Sequence, residues 1–555
     1  MTELSSTPLS DHDLLIPPLP LAMSHQPASE TMRTMPTYRR TLSPNELSYF
    51  LPSRGFGLND ICNRIVIHAP PSLVSPTRVR IAWAILRLRH SLMACRVEMQ
   101  PGYYDEAHFA LTPPSSPSQA LAEASVCVHF FDDITGPELL NAFLNGPRTL
   151  SSECLSRLDV LRRGEVSKGV HEFHLSFNFH HMMNDALTMY KTQDVMFELL
   201  GGSATPGGPT RTDAELAKVL EHEWMLRWGA HRHAHDAIVP ATEVRILGLP
   251  QSKFQEAAWK VDNQNIQKRS IGGHVFPRTK SPLFKMRLLE AQFDVSQTKA
   301  IMAKCKANRV TMANACFGLF NFAWIRVCAA HPELNAPKDL PMLIRTCPLR
   351  SEYNNVVLPA FIPRNADPNK IFWARSRAAQ EQMVKHARSP LLLKRAVVSG
   401  KVRGERAKAW ARIDDVADGT LPPPRASPAA PLVSNAKTNP TPSPSLALLG
   451  VTHTGDPTST IFRPNTYPLI KLVNTVGASR KAPGGMLITT RTFLGKYRLI
   501  LLWDAPAFAP GVMEEFWRNV VDGVHEYVLE DPSLKGTAQE LDCLVNAPAN
   551  AKAKM

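Results

Sequence analysis

Val170-His171-Glu172-Phe173-His174-Leu175-Ser176-Phe177-Asn178-Phe179-His180-His181-Met182-Met183-Asn184-Asp185 is the stretch on which the reading of this chain turns. From Val170 onward Phe173, Leu175, Phe177 and Phe179 fall on one side and Glu172, His174, Ser176 and Asn178 on the other, the period of a half-buried β-strand. The Asn184-Asp185 pair then supplies a helix cap before a helical segment over 186–200, and Gly201, Gly202 and the Pro/Gly run at 206–209 end the unit. Two adjacent histidines therefore stand where a strand gives way to a helix, the kind of junction at which α/β proteins place reactive groups.

By alternation His181 shares the parity of Phe177 and Phe179 and projects toward an apolar space, while His180 takes the opposite side. An imidazole so placed accepts a proton near neutral pH once a hydrogen bond holds its other nitrogen. Asp185 does not easily reach that ring if the chain turns tightly; its readings are a helix cap or a partner for a distant arginine. Two satisfied histidines at a strand end would fit the same six residues, because short motifs recur by accident.

Outward from this segment, residues 1–40 are rich in Ser, Thr, Pro and Met without periodicity and read as a tail. A strand is expected over 59–68. A helix over 77–93 should bury Ile81, Ile85, Leu88 and Leu92 and keep Arg78, Arg80, Arg87 and Arg89 in water. Residues 113–118 read as a turn-rich break and 126–131 as a strand. Helices are expected over 215–227, 296–307, 311–327 and 512–528, strands over 285–294, 342–346 and 469–476, and a hairpin over 486–503. The segment 418–445, dominated by Pro, Ser, Ala and Asn, reads as an exposed insertion. Strands alternate with helices in both halves, which gives an α/β protein of two lobes, about 200 residues each. The boundaries drawn are a tail over 1–40, an N-terminal lobe over 41–235, a C-terminal lobe over 236–545 and a flexible tail over 546–555.

Hydrophobic residues make up 44% of the 555, which excludes a wholly disordered, collagen-like or coiled-coil chain. The net charge of +14 suits nucleic acid, anionic lipid or a phosphorylated small ligand. Much of it sits in 385–412, where Glu405 is the one acid among many Lys and Arg. Trp410 is the sole aromatic there, so nucleic acid is not favoured; a solvated basic face is the default. The nine cysteines are odd in number and scattered, without CxxC or finger spacing, so neither a disulfide framework nor structural zinc is expected, and a reducing compartment is. His231-Arg232-His233-Ala234-His235-Asp236 reads as a loop without a second ligand cluster. Prolines break the apolar stretch at 14–23, so no secretion signal is read, and the apolar run at 317–330 contains Asn321 and Arg326, so no transmembrane segment is expected.

The histidine segment resembles the HHxxxDG motif of the acyl-CoA-dependent acyltransferases related to chloramphenicol acetyltransferase, plant BAHD enzymes and non-ribosomal peptide condensation domains. Leu42-Ser43-Pro44-Asn45-Glu46 is similar to the opening segment of that superfamily, and 84–96, with Arg89-His90-Ser91-Leu92, to its first long helix and the turn after it. Val473-Asn474-Thr475-Val476-Gly477 resembles its SNLG-type strand end, and 499–527 its last strand and helix. The likeness covers most of 42–530, with only the histidine motif specific. The layout is most similar to the fungal trichothecene 15-O-acetyltransferases and the fungal acyltransferases that decorate mannosylerythritol lipids. Ala186 replaces the motif's glycine, and the plant-type DFGWG is absent.

The resemblance implies a two-lobed chloramphenicol acetyltransferase-like fold with an interlobe tunnel and His181 at its centre. It implies a CoA-dependent O-acyltransferase in which His181, as general base, takes the proton of an acceptor hydroxyl on a glycolipid or other secondary metabolite. Asp185 and Arg350 would form a salt bridge and, with His180, support the site; Lys394, Arg395, Lys401 and Arg403 would meet the phosphates of acyl-CoA, a cosubstrate. No permanently bound cofactor and no metal is implied, and a monomer is expected. A condensation-type enzyme using a carrier-protein thioester and an inactive binding protein of the same fold stay open. Ala553-Lys554-Met555 resembles an S-K-L type peroxisomal address read by an import receptor; without it the expected location is cytoplasmic.

Overall fold

The computed structural model describes residues 35–203, 210–229, 237–247, 252–268, 272–334, 340–349, 352–423, 447–463, 466–531 and 541–542. Arg350, the histidine-rich segment 231–236, most of the proline-rich insertion and the C-terminal tripeptide lie outside these residues.

The described strands, numbered in chain order, form three sheets. A small one holds β1 (Tyr38–Thr41), β3 (Arg96–Glu98) and β4 (His108–Leu111) in the order β1-β4-β3. The sheet that carries the histidines holds β2 (Ile61–Ala69), β5 (Val128–Phe131), β6 (Ser156–Ser167), β7 (Val170–Phe179) and β12 (Lys471–Ser479) in the order β12-β2-β7-β6-β5. The largest holds β8 (Met286–Phe293), β9 (Met342–Leu349), β10 (Glu352–Leu358), β11 (Leu449–His453), β13 (Met486–Phe493), β14 (Lys496–Asp504) and β15 (Leu541–Asp542) in the order β10-β9-β11-β13-β14-β8-β15.

The apolar side of β7 packs as its alternation dictates. Phe177 and Phe179 lie under Trp83 of the Pro76–Arg89 helix, with ring centroids 6.1 and 6.3 Å away, and Phe197 of the Ala186–Gly201 helix meets Phe177 edge-on at 6.5 Å. The opposite side is interior as well. His174, Ser176 and Asn178 are buried too, because the Gly136–Asn145 helix covers that face, and a bridging cluster joins Cys62 and Leu140 to Met286, Leu288, Ile500 and Leu502 of the largest sheet. Asn178 Nδ2 accordingly donates to Asp159 Oδ2 at 2.7 Å, as a buried polar group must.

Arg78 departs from expectation. It is buried, its Nε donating to the carbonyl of Leu200 at 2.9 Å and its guanidinium pairing with Asp213 at 2.8 Å. The charge thus serves the C-terminal end of the Ala186–Gly201 helix, where free carbonyls attract a cation.

Each lobe has its own apolar core, and segments of the second half of the chain complete the first core. Strand β12 pairs antiparallel with β2, Val476 opposite Arg64, and Phe462, Tyr467 and Ile470 just before it join the first core. The Leu392–Ala417 helix lies along the Pro44–Ser53 helix, contributing Ala407 and Ala411. A Cβ at Gly404 would come within 2.8 Å of the Pro44 carbonyl oxygen, so this approach requires glycine. In the second core the Met312–Ala330 helix is apolar and long enough to cross a membrane, yet two-thirds of its most apolar window is buried within the protein. Arg498 and Glu290 form a buried ion pair at 2.7 Å between β14 and β8.

Candidate active site

Strand β7 ends at Phe179, held between Ile61 of β2 and Ser156 of β6, and the backbone N–H of His180 donates to the Leu155 carbonyl at 2.9 Å. The next residues turn sharply, with Met183 N–H on the His180 carbonyl at 3.1 Å and buried Met182 anchoring the turn in the first core. Asp185 then caps the Ala186–Gly201 helix, its Oδ1 accepting the Thr188 N–H at 2.8 Å. Of its two readings, the cap is the one the geometry displays. Ala186, where the motif has glycine, is the first helical residue and is not among the described residues with positive φ. The turn therefore makes no demand at 186 that only glycine meets.

His180 is buried. Its Nδ1 accepts the Met182 N–H at 3.3 Å, so Nε2 bears the ring proton and gives it to Ser53 Oγ at 2.6 Å. Ser53 passes its own proton to the Phe50 carbonyl at 2.7 Å and accepts from Arg148, which is paired with buried Asp60 at 2.7 Å. Burial pushes the Asp60 carboxyl above its ordinary value against the opposing pull of Arg148 and Arg480. His180 is thus tied into an internal network and is a structural member of the pair.

His181 is only partly buried and is held differently. Its Nδ1 lies 2.7 Å from the carbonyl oxygen of Asn184. A carbonyl can only accept, so Nδ1 carries the proton and the lone pair of the neutral ring resides on Nε2. The ring rests against Tyr49, with centroids 4.8 Å apart at an interplanar angle of 37°. This is the arrangement a general base needs: one nitrogen fixed as donor, the other basic.

The structure separates the four residues of the 385–412 segment expected to meet phosphates. Arg403 lies over the Tyr49 ring at 4.6 Å and the Tyr353 ring at 5.1 Å, which brings it to the far end of the aromatic contact with His181. Arg395 is buried and paired with Asp262 at 3.0 Å, while Lys394 sits over Trp259 at 5.0 Å, so these two bind the Leu392–Ala417 helix to the Lys253–Lys268 helix. Lys401 is exposed. Asp185 is described but Arg350 is not. Tyr49, Ser53 and Arg148 complete the surroundings of the histidines without a signal in the sequence, because they come from the distant Pro44–Ser53 helix and from a loop before β6. Among the described residues no group of three or more His, Cys, Asp or Glu is placed to hold a metal ion.

No protein-family model matches the chain, and no curated protein does. Solved structures do. The TRI3 trichothecene 15-O-acetyltransferase of Fusarium sporotrichioides aligns over 88% of this chain and 95% of its own, at 11% identity and a TM-score of 0.62. SgcC5 from Streptomyces globisporus aligns over 89% of this chain and 99% of its own, at 14% identity and 0.51. The EpoB non-ribosomal peptide synthetase cyclization-docking bidomain of Sorangium cellulosum aligns over 88% and 84%, at 10% identity and 0.50. At such identities the likeness establishes the fold: the chain has the chloramphenicol acetyltransferase-like, condensation-domain fold of these proteins.

Proposed function

We propose that this chain is an acyl-CoA-dependent O-acyltransferase whose acceptor is a hydroxyl of a glycolipid or other secondary metabolite. The observation that carries this reading is the bond from His181 Nδ1–H to the Asn184 carbonyl, which leaves Nε2 as the basic atom at a strand-to-helix turn of this fold. Nε2 would take the acceptor's hydroxyl proton as its oxygen attacks the thioester carbonyl. Collapse of the tetrahedral intermediate would break the C–S bond, and the imidazolium would return the proton to the departing CoA thiolate. No acyl-enzyme is required. His180 and Asp185 hold the turn, and a pairing of Asp185 with Arg350 belongs to the same reading. The basic Leu392–Ala417 helix supplies positive charge for the CoA phosphates, with exposed Lys401 the best placed of its four candidates to reach solvent.

The test is turnover by purified protein offered acyl-CoAs of increasing chain length with a panel of glycolipid and terpenoid alcohols, read as free CoA thiol and as ester mass. Ester formed from acyl-CoA and lost in His181→Ala supports the reading. Consumption of carrier-protein thioesters alone would make the chain a condensation-type enzyme, and turnover of neither donor would make it a binding protein of this fold. Residence in the peroxisome through Ala553-Lys554-Met555 is part of the proposal, since an organelle that shortens fatty acids supplies acyl-CoA. An N-terminal fluorescent fusion that stays diffuse would refute that location alone.

A further inference from the structure

We propose that Cys127 and Cys154 are a redox-active thiol pair, which hydrogen peroxide converts to a disulfide. Their sulfurs are 3.7 Å apart, in van der Waals contact, at the entrances of the neighbouring parallel strands β5 and β6. The backbone builds this meeting. The Cys127 carbonyl accepts the Leu158 N–H at 2.9 Å, and the Cys154 N–H donates to Ser151 Oγ at 3.1 Å while its carbonyl takes the Ser151 N–H at 3.0 Å. Cys127 is therefore fixed by its bond to β6 and Cys154 by the Ser151 turn that leads into β6, and the turn brings the two thiols together.

The surroundings favour a thiolate at Cys127. Cys154 Sγ lies within donating reach of both the Cys127 sulfur and the Ser156 carbonyl, the latter at 3.4 Å, and the Arg87 guanidinium lies 3.6 Å from the Cys127 sulfur. The Cys154 hydrogen bond, then Arg87 and Arg157, pull its pKa below the ordinary thiol value against burial and the Glu123 carboxylate. Cys154, as the donor, is pushed the other way. Burial drives Cys62, Cys95, Cys305 and Cys316 up to about 12 and Cys328 to about 11, whereas Cys127 is shifted toward the thiolate. Cys154 is partly exposed, which opens the pair to a small oxidant.

The chemistry balances without another reactant. The Cys127 thiolate attacks one peroxide oxygen, the O–O bond breaks, and hydroxide leaves, giving a sulfenic acid. The Cys154 sulfur then attacks the Cys127 sulfur, and the S–O bond breaks. The hydroxide leaving here takes the Cys154 proton and the one released from peroxide takes the proton that Cys127 lost on ionising, so two thiols are oxidised and one peroxide is reduced to two waters. A disulfide needs sulfurs about 2.0 Å apart, so each side chain has under about 1 Å to travel. Cys154 adjoins Leu155, the residue whose carbonyl holds the His180 N–H, so the bridge would form beside the backbone anchor of the histidine turn.

The experiment uses the full chain, reduced, freed of reductant and treated with one equivalent of hydrogen peroxide under native conditions. Free thiols are then alkylated in denaturant and the disulfide is mapped by peptide mass spectrometry. The expected result is the loss of two titratable thiols and of the mass of two hydrogen atoms, with Cys127 joined to Cys154 and dithiothreitol restoring both. In Cys154→Ser, dimedone should label Cys127. Unchanged thiols, a disulfide joining other cysteines, or oxygen gained at Cys127 of the wild-type chain without a link to Cys154 would each overturn the proposal. None of these readouts depends on acyl transfer.

Discussion

His181 Nδ1 lies 2.7 Å from the backbone carbonyl oxygen of Asn184, three residues ahead in the same turn. Because that oxygen can only accept, the contact selects one tautomer of His181 through the main chain itself, and any substitution that keeps the turn keeps the selection.

His181→Ala should lower turnover about 10²–10⁴-fold, the usual contribution of a general base, while leaving the thermal unfolding curve nearly unchanged. The side chain is partly exposed and does not belong to the first core. Steady-state rates of CoA release beside a circular-dichroism melt check both halves, and wild-type turnover in the variant would end the assignment of the base.

Ser53→Ala should destabilise the fold by about 1–3 kcal/mol, the cost of withdrawing one partner from a buried polar group. The hydroxyl lost is the one that receives the His180 ring proton at 2.6 Å and also accepts from Arg148. Urea unfolding measures it. A change below about 0.5 kcal/mol, typical of surface sites, would mean that Ser53 is not part of the network.

Asp185 separates two roles by the choice of substitution. Asp185→Ala removes the cap on Thr188 and should cost about 0.5–2 kcal/mol, whereas Asp185→Asn retains an oxygen acceptor and most of the stability. If Asp185 also pairs with Arg350, Asp185→Asn should still lose activity, and a double-mutant cycle with Arg350→Ala should show coupling of about 0.5–3 kcal/mol. Additive effects on turnover would remove the pair and leave the cap.

His453 sets part of the acid stability. Its Nδ1 meets Thr490 Oγ1 at 2.7 Å, and its Nε2 is buried with no hydrogen-bond partner among the described residues. Burial therefore pulls the ring from its ordinary 6.5 down to about 4. Between those values the unfolded chain binds a proton that the folded ring refuses, so stability is whole above pH 6.5 and falls as the pH drops toward 4. The loss is on the order of 3 kcal/mol. His453→Gln should flatten this branch of a stability-against-pH curve from chemical denaturation; an identical slope in the variant would assign the acid loss to other groups.

Local signals carried the histidine segment. Alternation over Val170–Phe179 and the Asn184-Asp185 cap specify a strand, a turn and a helix within a few residues of one another, and the structure builds them there. The Leu392–Ala417 helix shows where such signals stop. It read as a basic segment because the side that packs is a stripe of small residues, Ala396, Gly400, Gly404, Ala407 and Ala411, with too little apolar bulk to mark a period. At Gly404, and more loosely at Gly400, the Pro44–Ser53 helix comes so close that a side chain would meet it, a requirement that the partner helix imposes.

The sequence by itself determined the succession of strands and helices around His180 and His181, since φ/ψ preference, side-chain period and capping act over a few neighbouring residues. Only the tertiary structure decided what the two rings do. Ser53 meets His180 across 127 positions, and Tyr49 reaches His181 from the same distant helix. Both sides of β7 are interior because a helix and a second sheet cover the side that carries its polar residues. Hydrogen-bond partners and burial depend on which elements are stacked, and no local pattern in the chain encodes that.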